Sequence, residues 1–132
     1  MSRRSKDPST KTGAVIVRPD KSVASVGYNG FPRGMEDKPE LYADREEKLS
    51  RIIHCEMNAF MYAREPIRGY TLYTYPFISC DRCYVHMAQA GIVRFVAPYP
   101  TPAQNERWGA AFEKVRREAA KMNLEIEEIE FE

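Results

Sequence analysis

Residues 71–97 read TLYTYPFISCDRCYVHMAQAGIVRFVA. Thr71-Leu-Tyr-Thr-Tyr75 is rich in β-branched and aromatic residues and is halted by Pro76, as a short strand would be. From Cys80 to about Ala90 nothing breaks a helix until Gly91, which reads as its C-terminal cap. Ile92-Val-Arg-Phe-Val-Ala97 follows as a second, apolar strand. A strand, a helix and a strand in so short a span form a right-handed β-α-β unit with its strands parallel. That unit places the chain in the α/β class.

The same reading extends in both directions. Upstream, Leu49, Ile52, Ile53, Met57, Phe60 and Met61 fall at helical spacing, so a helix is predicted from about Arg45 to Arg64, closed by Pro66. Downstream, Trp108, Ala111, Phe112, Val115, Ala119 and Met122 make one apolar stripe, predicting a helix over Gln104 to Met122. Leu124 to Phe131 reads as a last strand, with interleaved glutamates that protect an exposed edge. At the other end, Gly13-Ala-Val-Ile-Val17 and Ser22-Val-Ala-Ser-Val26 flank the turn Arg18-Pro-Asp-Lys21, a β-hairpin. Tyr28-Asn-Gly-Phe-Pro-Arg-Gly34 is a loop, and the chain stays polar and irregular to about Asp44. The order β-β-α-β-α-β-α-β predicts a hairpin leading into a mainly parallel sheet, with helices on both faces.

Bulk composition narrows the function classes. At 132 residues, 43% hydrophobic and 30% charged, residues 1–132 fit one soluble domain with a single core. No apolar run is long enough to cross a membrane. Met1-Ser2-Arg3-Arg4-Ser5 lacks the apolar stretch of a secretory signal, so a cytoplasmic location is expected. A formal net charge of +1 speaks against a polynucleotide partner, which would call for a broad basic stripe. A small anion needs only one or two cations. Three cysteines at irregular spacing suit a disulfide framework poorly and metal ligation better.

Cys80-Asp-Arg-Cys83 lets both thiolates reach one ion from the first turn of a helix, whose N-terminus also favours the anionic sulfur. By itself the motif is equally a redox dithiol or half of a structural zinc site. His54-Cys55-Glu56 is the second signal. On a helix, His54 and Glu56 point roughly 200° apart, so they flank an ion and cannot both ligate it head-on. His54 can bind the metal while Glu56 reaches the water beside it. A His-X-Glu helix followed by Cys-X-X-Cys at a helix start is the pattern of zinc deaminases, in which the glutamate shuttles protons and is not a ligand. Three ligands leave a zinc position open to water, the mark of a catalytic site. The structural alternative is a closed site that adds Cys55 to His54, Cys80 and Cys83. Cys55 sits about 100° of helix rotation from His54, which makes that awkward, and it leaves Glu56 without a purpose. His86 reads as a packing or surface histidine.

At these residues the sequence resembles the deoxycytidylate deaminase branch of the cytidine deaminase superfamily. The resemblance runs from Ser5 to about Ala97 through Ser5-Lys-Asp-Pro-Ser-Thr10, Gly27-Tyr-Asn-Gly-Phe-Pro-Arg-Gly34, His54-Cys-Glu-Met-Asn-Ala59, Cys80-Asp-Arg-Cys83 and Gln89-Ala-Gly-Ile92. It implies a three-layer α-β-α fold around a five-stranded mixed sheet whose last two strands are parallel. It also implies zinc-dependent conversion of dCMP to dUMP with release of ammonia. His54, Cys80 and Cys83 become the zinc ligands, and Glu56 the proton shuttle. Asn29 would bond the sugar hydroxyl, and the backbone at Cys55 and Ser79 would line the base pocket. Lys11, Arg33, Ser9 and Lys6 are candidates for the phosphate. Members often form hexamers controlled by dCTP and dTTP, with the effector near the Gly27–Gly34 loop.

The chain departs from that pattern at three places. A helix usually precedes Ser-Lys-Asp-Pro, and here it is missing. Either the true start lies upstream or a neighbouring subunit covers the sheet, so a homo-oligomer from dimer to hexamer is expected. The usual His-Ala-Glu and Pro-Cys-X-X-Cys read His54-Cys55-Glu56 and Ser79-Cys80, changes that border the base pocket without touching a ligand. Residues 35–49 lack the cysteines and histidine that hold a second zinc in some relatives, which speaks against control by dCTP. Alternatives to dCMP are a 5-substituted dCMP, a nucleoside or another small aminated base, or a non-catalytic nucleotide-binding or structural-zinc module on the same fold.

Overall fold

The computed structural model describes residues 2–7 and 11–130. A five-stranded sheet is built from β1 (Gly13–Val17), β2 (Val23–Tyr28), β3 (Thr71–Tyr75), β4 (Arg94–Pro98) and β5 (Glu125–Ile129). Its spatial order is β2-β1-β3-β4-β5. β1 pairs antiparallel with both β2 and β3, whereas β3–β4 and β4–β5 are parallel. The sheet is therefore the expected mixed one with its last two strands parallel, although its pairings are divided evenly and not mainly parallel. Phe131, assigned above to the last strand, lies outside the described residues.

Five helices connect the strands: α1 (Pro39–Ala43), α2 (Arg45–Arg51), α3 (Cys55–Tyr62), α4 (Cys83–Ala90) and α5 (Pro102–Lys121). Residue alternation along the strands explains where the core forms. Ala14, Ile16, Leu72, Phe95 and Ala97 share one face and are buried with Cys55 and Ala59 of α3, Tyr84 and Met87 of α4, and Phe112 and Val115 of α5. α5 is fixed at its start by a capping box between Thr101 and Gln104. α4 ends at Gly91 in the left-handed conformation, as the sequence predicted.

The opposite face of the sheet is different. Tyr28, Val26, Tyr73, Tyr75 and Ile129 all stand exposed there, and the short 3-10 turn Ser2–Arg4 lies against β1. Among the described residues α3, α4 and α5 all pack on the one face.

One predicted helix resolves into two. The span from Arg45 to Arg64 is interrupted at Ile52 and Ile53, where Ile53 exchanges backbone hydrogen bonds with Gly30. Two β-branched residues in succession lose side-chain freedom in a helix and are content in extended backbone. His54 is extended too (ψ 155°) and serves as the residue just before α3. α1 lies where the sequence predicted irregular chain.

Candidate active site

The break at Ile53 rearranges the geometry expected of His54 and Glu56. His54 precedes α3 and is not inside a helix, while Glu56 lies in the first turn, where the helix dipole favours a negative charge. Gly27 of β2 lets α3 come this close: a Cβ there would approach the Cys55 carbonyl oxygen to 2.5 Å and collide with the Ala59 amide. Cys80 likewise lies ahead of its helix. α4 starts at Cys83, whose backbone N–H donates to Cys80 Sγ at 3.3 Å, and Tyr84 N–H donates to the Cys80 carbonyl at 3.0 Å. The Cys80 side chain therefore caps α4 while its sulfur faces His54.

His54 Nδ1 lies 3.4 Å from Cys80 Sγ and 3.2 Å from Cys83 Sγ, and all three donor atoms fall within 4.8 Å of one another. A tetrahedral zinc with ordinary bond lengths would hold nitrogen and sulfur about 3.5 Å apart, so the donor set fits one ion. The Cys80 thiol is pushed down to about 4, first by the hydrogen bond with Cys83 and then by His54, against the effect of burial. Cys83 is raised by the same shared proton and by burial, and His54 is raised by its bond with Cys80 against burial. Metal ligands bind deprotonated, and a dication would displace that shared proton.

Glu56 and Cys55 stand outside this donor cluster. Glu56 is buried, at 5% exposure, and both its oxygens are held. Cys55 Sγ donates to Oε1 at 3.0 Å, and Ser79 Oγ donates to Oε2 at 2.6 Å. Burial first, and then the charge of Glu56, raise the Cys55 thiol well above its ordinary value, so it remains a donor. The closed site with Cys55 as a fourth ligand is thus not the arrangement found.

A cavity of about 270 Å³ opens onto His54, Cys80, Cys55 and Glu56. Phe77, Trp108 and Phe112 form an apolar wall, with the Phe77 ring tilted against Trp108 at 5.1 Å and against Phe112 at 5.4 Å between centroids. Asn29 lies on the wall as well. Its Oδ1 accepts from Thr12 N–H at 2.9 Å, and its Nδ2 donates to Asp7 at 3.2 Å. Asp7 is buried and ion-paired with Lys48 of α2 at 2.8 Å. Ser5 Oγ donates to the Asn29 carbonyl at 2.9 Å, so the N-terminal motif frames this asparagine.

Other sequence candidates lie elsewhere. Ser79 is not on the cavity wall; its hydroxyl sits behind Glu56. Lys11 is exposed and donates to the Ser5 carbonyl at 2.7 Å. Arg33 stacks over Tyr62, 5.0 Å from the ring centroid, in a separate groove of about 550 Å³ beside the Gly27–Gly34 loop, which Lys6 also lines. Ser9 falls outside the described residues. The cations that do line the cavity are Arg45 and Lys48 of α2 and Arg107 of α5, which the sequence reading passed over. Their only signal in the sequence is their place on helix faces next to Leu49 and Trp108.

The family model described as "Cytidine and deoxycytidylate deaminase zinc-binding region" matches residues 1–98. An uncharacterised deaminase of Aliivibrio fischeri is 36% identical over 105 residues, covering 80% of this chain and 69% of that one. A "Probable deoxycytidylate deaminase" of Caenorhabditis elegans is 38% identical over 96 residues, covering 69% of this chain and 48% of the other. The chain spans about half the length of the curated animal deoxycytidylate deaminases it matches. The dCMP deaminase of cyanophage S-TIM5, solved with dCMP and dUMP, superposes with a TM-score of 0.67 at 20% identity, covering 96% of this chain and 85% of that chain. At that identity the likeness speaks for the fold.

Proposed function

The chain belongs to the cytidine and deoxycytidylate deaminase family, and on that premise we propose that it hydrolyses dCMP to dUMP and ammonia. The observation that carries this reading is the placement of Glu56. Its carboxylate is buried beside the His54–Cys80–Cys83 cluster without joining it, a position that a structural metal site has no use for.

His54, Cys80 and Cys83 would hold zinc, which supplies a water made nucleophilic near neutral pH. Glu56 takes a proton from the water and passes it to the ring nitrogen, and then a second to the departing amine. The water oxygen becomes the C4 carbonyl, and the amine leaves as ammonia. Phe77 and Trp108 flank the base and keep bulk water away. Asn29, held at both ends of its amide by Thr12 and Asp7, presents a fixed polar group to the sugar. The 5′-phosphate is assigned to Arg45 and Arg107 in place of Lys11 and Arg33, because the first two lie on the cavity wall.

The exposed apolar face of the sheet supports a homo-oligomer, and sedimentation at micromolar concentration would reveal a monomer if that reading is wrong. A nucleotide effector, if one binds, has the groove at the Gly27–Gly34 loop available to it. No helix among the described residues is long and apolar enough to cross a membrane.

Ammonia release from dCMP, dCTP, 5-methyl-dCMP and deoxycytidine tests the reading directly. Zinc-loaded protein is expected to turn over dCMP and to be far slower on deoxycytidine. Glu56→Ala should lower kcat roughly 10²- to 10⁴-fold with zinc retained. Zinc-loaded wild type that leaves all four compounds unchanged would refute the enzyme.

A further inference from the structure

Two residues from separate parts of the chain converge on the same side chain. Cys55 Sγ donates to Oε1 of Glu56 at 3.0 Å, and Ser79 Oγ donates to Oε2 at 2.6 Å. Cys55 and Ser79 are themselves buried, at 3% and 2% exposure. Neither belongs to the metal cluster, and neither can carry the reaction alone.

We infer that Ser79, assisted by Cys55, is a positioning residue that fixes the Glu56 carboxylate for proton transfer. A buried carboxylate without donors loses its hydration and has no reason to keep one orientation. One donor on each oxygen removes rotation about the last side-chain bond and leaves each oxygen a further lone pair for the proton in transit. The two donors are unequal. A hydroxyl at 2.6 Å on a carboxylate is a short charge-assisted bond, whereas a thiol is a weak donor. Ser79 therefore sets the orientation and Cys55 completes it. The backbone brings them together without a long linker: Cys55 precedes Glu56 on α3, and Ser79 precedes the metal ligand Cys80. The groups that hold the zinc and the groups that aim the carboxylate thus sit on the same two segments.

This inference rests on the deaminase reading for its kinetic consequence, but its contact can be tested without turnover. The kinetic arm compares wild type, Ser79→Ala, Ser79→Thr and Cys55→Ala on dCMP, with zinc measured in each. Ser79→Ala is expected to lower kcat about tenfold or more with KM within about twofold, because a lost aim affects the proton step and not ground-state binding. Ser79→Thr, which restores a hydroxyl, should recover most of the rate, and Cys55→Ala should lose less than Ser79→Ala. The second arm is a double-mutant cycle on urea unfolding with Glu56→Ala, Ser79→Ala and their combination. The combined loss of midpoint should be clearly smaller than the sum of the single losses, since either change removes the same bond. Additive losses, a Ser79→Ala enzyme with wild-type kcat, or a rate loss that follows zinc loss would each overturn the inference. If wild type proves inactive on every nucleotide while the cycle is non-additive, the deaminase reading fails and the carboxylate clamp stands.

Discussion

The two ends of the cavity are built in opposite ways. At the chemical end, His54, Glu56, Cys80 and Cys83 lie on two short segments next to helix starts, with Glu56 and Cys83 buried and His54 open to solvent. Glu56 is gripped on both oxygens, and Cys80 is tied to the start of α4. At the end proposed for recognition, Arg45 and Arg107 are exposed side chains on α2 and α5, Arg107 lying over the Trp108 ring at 4.5 Å from its centroid. Chemistry here relies on preorganised groups whose desolvation is already compensated in the folded chain. Capture of an anion needs only cations within reach, and long flexible side chains on stable helices provide that.

If this contrast is right, perturbing the two ends should give effects of different kind and size. The largest belongs to the ligands: Cys83→Ala should reduce zinc from about one per chain to near zero and remove turnover with it, as metal analysis alongside an ammonia assay would show. An active Cys83→Ala enzyme would break the comparison at its stronger end.

Next comes the scaffold beneath the chemistry. Gly27→Ala places a methyl against the backbone of α3 and should cost about 1–3 kcal/mol of stability, measurable as a lower urea midpoint. An unchanged midpoint would show that α3 can withdraw from β2 freely.

A smaller effect is expected at the recognition end. Arg107→Ala should raise KM for dCMP about tenfold, the value of one charge-assisted hydrogen bond, with kcat within about threefold. The same substitution should leave the slow reaction with deoxycytidine unchanged; equal damage to both substrates would remove the phosphate from Arg107. The smallest effects belong to Lys11→Ala and Arg33→Ala, whose side chains are engaged on the Ser5 carbonyl and the Tyr62 ring. Their KM for dCMP should stay within about twofold of wild type.

How much was legible beforehand followed the range of each interaction. The five strands were read at nearly their observed positions, because alternation and turn residues are local. Gly91 as a helix cap and the α5 stripe were legible for the same reason. The helix from Arg45 to Arg64 was misread as continuous. Its apolar spacing is helical on both sides of the break, and what interrupts it is a pairing between Ile53 and Gly30, far apart in the chain. Lys11 and Arg33 were chosen as phosphate ligands because they lie in the motif-bearing segments. That Arg45 and Arg107 share the cavity wall was not legible, because only the packing of α2 and α5 around the cavity brings them together.

The sequence by itself determined the class of fold, the donor types for a zinc ion, and the presence of a glutamate beside them. Each follows from residue chemistry and from spacings within one strand or one helical turn. Tertiary structure alone decided that His54 and Cys80 stand before their helices, that Cys55 turns to Glu56 and not to the metal cluster, and that Ser79 reaches the same carboxylate across 23 residues. Those facts depend on how close two backbones come, and such distances are set by the packed sheet and helices together.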